Sequence, residues 1–229
     1  MLMLNQTQTK EVSHLFELGA HLGHKKSRLH PKARKNIYQM LNGTSVIDLT
    51  STVTQLEKAY AYLKTARAEG KTILVVGTKK TASPYVKDLC TQKEVAFIAT
   101  KWLPGLLTNF KTIMKNVKKL EEYRTLVADP SQKFIKHEKN KMQKDIAKLE
   151  KLYGGLASLQ KLPDILLIID IKKEKNALKE AQSFNIPVVG IADTNANPDD
   201  VAFPIVANDD TAEVVEYLLT KLLDAYLQA

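Results

Sequence analysis

The chain has 229 residues, of which 44% are hydrophobic and 26% charged, a balance that excludes a disordered or collagen-like polymer and suffices for one sizeable core with room for an insertion. A formal net charge of +9 favours polyanionic partners. Cys90, the single cysteine, rules out an internal disulfide or a thiolate metal cage and fits a reducing compartment. The longest aliphatic runs, Ile73 to Val76 and Ile165 to Ile169, fall far short of the ~20 residues that a bilayer span needs, and the first ten residues lack the pattern of an export signal. No membrane partner is expected.

The charge is segregated along the chain. The first two thirds are basic, whereas residues 193–229 carry eight carboxylates against one lysine. The densest cationic stretch runs from Gly19 to Tyr38, where Lys25, Lys26, Arg28, Lys32, Arg34 and Lys35 lie around the helix breakers Gly23 and Pro31. An irregular basic segment of this kind can follow a phosphate backbone. His24 and His30 are interleaved with these cations and join the candidate phosphate contacts. With His21 they could instead ligate a metal, but no carboxylate or thiolate lies among them and the surrounding cations oppose a divalent ion, so no metal is expected. The plainer alternative is a solvated basic loop.

Next in order, Ile37 to Leu41 and Ser45 to Asp48 flank Asn42-Gly43, a strong hairpin signal. Helical periodicity follows over about Thr52 to Glu69 and stops at Gly70. Short, nearly continuous apolar runs then predict strands at Thr72 to Gly77, Val95 to Ala99, Ile165 to Asp170 and Pro187 to Ala192, with a weaker one at Phe203 to Ala207. Helical patterns at Thr81 to Lys93, Lys173 to Phe184 and Thr211 to Leu227 alternate with them. The order is a repeated βαβ, which predicts an α/β fold with an open, mostly parallel sheet and helices on both faces.

One connection is too long for a crossover helix. From Asn109, apolar residues recur at Phe110, Ile113, Met114, Val117, Leu120, Tyr123 and Val127, with Lys111, Lys115 and Lys118 mostly on other faces. Asp129-Pro130 reads as an N-cap followed by proline, opening a second helix through Phe134, Ile135, Met142, Ile146, Leu149 and Leu152 to Gly154-Gly155. Residues 109–154 are therefore expected to form an inserted antiparallel helical hairpin, a coiled-coil arm. Residues 1–108 and 155–229 form the α/β domain with its basic N-terminal extension.

Other candidate sites sit at strand ends. Gly77 to Ser83 follows a strand and opens a helix, so Lys79 and Lys80 beside free amides make an anion site. Thr78, Lys79, Asp170 and Asp193 together allow an alternative reading, a phosphosugar or nucleotide enzyme using the strand-end crevice. Neither a P-loop nor a dinucleotide fingerprint is present, no nucleophile elbow appears, and Cys90 reads as an inert buried thiol. Asp193 to Asp200 begins like a calcium loop but has Pro198 and Pro204 where glycine and glutamate are required, so side-chain capping of a turn is expected instead. Between strand and arm, Lys101 and Asn109 are candidates for phosphate contact at the base of the arm, and Trp102 for stacking on a base, the alternative being a Trp102 partly in the core.

Five ordered stretches, GAHLGHKKSRLHPKARKNIY from Gly19, ILVVGTKKTAS from Ile73, KWLPGLLTNFK from Lys101, LPDILLIID from Leu162 and NIPVVGIADTNANPDDVAFPIVANDD from Asn185, resemble the bacterial-type small-subunit ribosomal protein S two family nearly end to end. The resemblance implies a flavodoxin-like sheet with the helical hairpin inserted, a structural place in the small ribosomal subunit, and binding of small-subunit ribosomal RNA without catalysis, cofactor or small-molecule substrate. It implies neighbouring ribosomal proteins as partners, including ribosomal protein S one, for which the acidic C-terminal stretch is a candidate surface. A bacterial cytoplasm is the implied setting, an organelle matrix the alternative. One departure stands out: the family's Arg-Trp-Leu-Gly-Gly is here Lys101-Trp-Leu-Pro-Gly105, which replaces a forked guanidinium by a point charge and fixes a backbone torsion.

Overall fold

The computed structural model describes residues 5–129 and 135–228. Helix α1 (Gln6–Glu17) comes first. Its start is fixed by a reciprocal box in which Asn5 Oδ1 accepts from the Gln8 amide (2.8 Å) and Gln8 Oε1 accepts from the Asn5 amide (3.0 Å). The sequence reading contains no helix here, because α1 buries only Leu15 and so shows little apolar periodicity. Strands β1 (Leu22–Lys25), β2 (Ile37–Leu41) and β3 (Thr44–Ile47) then form a small antiparallel sheet in the order β1-β3-β2. The expected hairpin is present. Asn42 and Gly43 both take positive φ, 49° and 78°, as its tight turn requires. The supposedly irregular basic segment is more ordered than expected: part of it is β1, and the turns Lys26–Arg28 and Pro31–Asn36 occupy most of the rest.

Helix α2 (Leu49–Ala68) starts earlier than its periodicity implies, because Asp48 caps it by accepting from the Thr50 amide at 3.0 Å. It is followed by β4 (Ile73–Val76), α3 (Ser83–Gln92), β5 (Ala96–Ile98), α4 (Phe110–Ala128), α5 (Lys136–Tyr153), β6 (Ile165–Ile169), α6 (Lys175–Ser183), β7 (Val188–Ala192), β8 (Phe203–Val206) and α7 (Ala212–Leu227). Strands β4 to β8 pair in parallel in the order β5-β4-β6-β7-β8, the flavodoxin-like doubly wound arrangement.

Alternation along the buried strands builds two cores. Ile73, Val75, Ile165, Leu167, Ile169, Val189 and Ile191 face α2, α3 and α7, while Leu74, Val76, Leu166, Ile168 and Val188 face α6, the Trp102 to Leu107 turn and the root of α4. Every residue of β4, β6 and β7 is buried, at about 1.5–3 kcal/mol for each large aliphatic side chain, which explains the unbroken hydrophobicity of those runs. Cys90 lies in the first core, and burial pushes its thiol pKa up to about 12.

Helices α4 and α5 pack on each other as the inserted hairpin. Asn116 Nδ2 donates to the Tyr153 hydroxyl (3.1 Å) near the root, and an Arg124–Glu150 ion pair links the helices further out. Only Val117 and Leu120 of α4 are fully covered, so the arm leans on its root rather than on a core of its own. The expected start of the second helix, Asp129-Pro130, reaches beyond the described residues. Asp129 ends α4, α5 starts at Lys136 with the Ile135 amide donating to Glu138 Oε2 (3.2 Å), and Pro130 and Phe134 lie outside the described residues. Among the described residues no helix is long and apolar enough to cross a membrane.

Candidate nucleic-acid interface

The basic segment is held by the loop that follows β7. There Asp193 Oδ1 accepts from the Thr194 amide and from Thr194 Oγ1 (2.9 Å), and Asn197 Oδ1 accepts from the Asp199 amide (3.2 Å), the self-capped turn that the residues predict. The loop also reaches across the molecule. Thr194 Oγ1 accepts from the His24 amide (2.8 Å), Thr194 O accepts from the His30 amide (2.9 Å), and Ser45 Oγ donates to His24 O (2.7 Å). Gly23 permits this approach. A Cβ there would stand 2.5 Å from Ser45 Oγ and 2.7 Å from Thr194 Cγ2, both on fully buried residues.

Both histidines assigned to phosphate contact are engaged by the fold. His24 Nδ1 lies 3.0 Å from Asp193 Oδ2, and its Nε2 lies 2.9 Å from Asn195 Nδ2 and 3.9 Å from Asp210 Oδ2. With the proton on Nδ1, both ring nitrogens are satisfied. Carboxylates distant in sequence thus surround His24, which a search among its sequence neighbours could not find. His30 Nδ1 accepts from the Lys32 amide (3.2 Å) and caps the second turn.

With the backbone pinned, the cations project outward. Lys25, Lys26, Arg28 and Arg34 are exposed and make no ion pair among the described residues. Lys32 and Lys35 both pair with Asp199, and the hydrogen bond from Lys35 leads the causes that lower the Asp199 pKa. The lysine side chains are 64% and 60% exposed, so these are solvent-screened pairs of small worth that a phosphate can replace.

The strand-end crevice is filled by the chain's own groups. Burial alone would weaken the charge of Lys79, but Asp209 (2.5 Å), Asp210 (2.5 Å) and Asp170 (3.7 Å) outweigh it and raise its pKa. Lys79 is therefore not a free anion ligand, contrary to the sequence expectation; Lys80 is exposed. The surplus negative charge bears on the most deeply buried of these three carboxyls. Burial, then Asp170, and also Asp193 push Asp209 up to about 7 against the pull of Lys79. The turn before α3 does hold a carboxyl group, but it is internal: Glu174 accepts from the Thr78 amide (3.3 Å) and from the Thr78 hydroxyl. Burial raises the pKa of Glu174, with the Thr78 hydrogen bonds opposing.

At the base of the arm, Trp102 is only 4% exposed, so no base can stack on it, and that expectation is corrected. Its indole donates to Glu180 Oε1 (3.0 Å), while the Gly105 and Leu107 amides donate to Oε1 (2.9 Å) and Oε2 (3.0 Å). Glu180 thereby fixes the turn that launches α4. Lys101 and Asn109 are exposed beside it. Lys111, Lys115 and Lys118, also exposed and without ion pairs among the described residues, form an i, i+4, i+7 stripe along α4. Sequence reasoning missed Thr194, Ser45, Asp199 and Glu180, because each acts on a partner far along the chain.

Comparison with known proteins adds two findings. Residues 15–229 match the family model described as Ribosomal protein S2. The chain is 39% identical over 218 residues to the Small ribosomal subunit protein uS2 of Coprothermobacter proteolyticus, covering 93% of this chain and 80% of that protein.

Proposed function

This chain belongs to the ribosomal protein S2 family, a structural constituent of the small ribosomal subunit and not an enzyme, and from that premise we propose how it grips its RNA. Lys25, Lys26, Arg28 and Arg34, with Lys32 and Lys35 released from Asp199, bind phosphates of small-subunit ribosomal RNA from a segment whose backbone is already fixed. A second contact comes from the Lys111, Lys115 and Lys118 stripe, with Lys101, Asn109 and Lys80 contributing at their own positions. The arm, residues 109–154, acts as a unit of its own that carries this stripe away from the α/β domain. The observation that carries this reading is the set of exposed cations left without an ion pair among the described residues, while the half-buried Lys79 is neutralised within the chain. Pinning the backbone beforehand lowers the ordering cost of binding. The setting we propose is the ribosome of a bacterial cytoplasm.

Contacts with neighbouring proteins, ribosomal protein S one among them, belong elsewhere than on Asp193 and Asp209, since those buried carboxylates already face His24 and Lys79. A salt titration tests the RNA reading. With about six phosphates neutralised, the log–log slope of affinity against salt is expected near about −5. Combined Lys25→Glu, Lys26→Glu and Arg28→Glu substitutions should make it shallower by about 3. An unchanged slope would remove the segment from the interface.

A further inference from the structure

Strand β2 carries a feature that phosphate binding does not use. Ile37 pairs with Ile47 and Gln39 pairs with Val46, so Tyr38 is an extra residue without a partner on β3, a bulge that re-aims its side chain. Tyr38 is 73% exposed, more than any other large hydrophobic side chain among the described residues. Leu22 (50%) and Leu41 (57%) are also exposed on this small sheet; across β3 from Leu41, in register with Thr44, stands Lys25.

The surroundings set the chemistry of what covers this face. Between Glu17 and Asp48 the sequence has no Asp or Glu, and although Asp199 of the loop after β7 pairs with Lys32 and Lys35, the cations Lys25, Lys26, Arg28 and Arg34 make no ion pair among the described residues. The partner must therefore be anionic and must also present a flat apolar surface. Duplex RNA offers phosphates and 2′-hydroxyls but keeps its base faces stacked, whereas an unpaired strand offers both charge and open π-faces. We propose that Tyr38 is a stacking platform for an unpaired base of ribosomal RNA, with Lys25, Lys26, Arg28 and Arg34 holding the flanking phosphates. The proposal rests on the RNA-binding reading above and adds the kind of RNA that this edge takes.

The test compares Tyr38→Ala and Tyr38→Phe with the parent chain for binding to a short single-stranded oligouridylate and to an RNA duplex of the same length. Thermal melting checks that each variant is folded. Loss of one base–aromatic stack should weaken single-strand binding of Tyr38→Ala by about 5–150-fold, leave its salt slope and duplex affinity unchanged, and be restored in Tyr38→Phe. Equal single-strand affinity of Tyr38→Ala and the parent overturns the stack. So does a defect of Tyr38→Ala confined to association with other small-subunit proteins, which would give the face a protein partner. The charge-reversal variant keeps the two ideas apart: a shallower salt slope there with no effect at Tyr38 removes only the stack, and an unchanged slope removes the RNA reading beneath it.

Discussion

Asp209 shows how much a single side chain can owe to its surroundings. In the unfolded chain its carboxyl ionises near the ordinary value of 3.8, and in the folded chain near about 7. The native state therefore holds this proton more tightly, so the stabilisation it supplies is complete below the unfolded value and is lost as pH rises through about 7. Asp209→Asn removes the titration. A tenfold difference in proton affinity corresponds to about 1.4 kcal/mol, so between pH 5 and pH 8 the variant should gain at least about 2–4 °C in Tm relative to the parent. Melting curves of both chains across that range decide it, and parallel curves would refute the elevated value. At this scale sequence reading was least reliable. Lys79 beside an incoming helix looks like an anion ligand in isolation, and only the fold reveals that Asp170, Asp209 and Asp210 converge on it.

Elements were far more legible, because their signals are local or periodic. The doubly buried strands and the Asn42-Gly43 turn stand close to where apolar runs and turn chemistry predict them. Helix α1 escaped notice because its apolar face is slight, though its Asn5-x-x-Gln8 box was available as a signal. Trp102 was misread because its partner, Glu180, lies on α6. Hydrogen bonds to a charged acceptor are worth about 1.5–3 kcal/mol each and do not add fully within one cluster. Glu180→Ala should thus cost about 3 kcal/mol, or about 6–12 °C in Tm. Amide exchange at Gly105 and Leu107 should accelerate while β6 remains protected. Uniform acceleration across the sheet would mean that Glu180 braces the whole domain rather than the launch of α4.

For the whole molecule, the sequence shows a basic body and an acidic end, and the fold brings parts of the two together. Lys32 and Lys35 share one exposed carboxylate, so Asp199 restrains the cationic face that the RNA reading requires. Asp199→Ala should strengthen RNA binding at low salt, because Lys32 and Lys35 no longer have to leave a carboxylate before they engage phosphate. Filter binding measures the gain, and an affinity equal to that of the parent would leave those two lysines outside the interface.

The contact between Thr194 and the His24 backbone spans 170 positions of the chain. Synthesis runs from the amino end at about 5–20 residues per second, so the cationic stretch is translated about 10–30 s before the loop that anchors it. Until then that stretch has only its own small sheet and local caps to shape it. A nascent chain of this protein therefore passes through a stage at which its cationic segment is already made and the loop that pins its backbone is not.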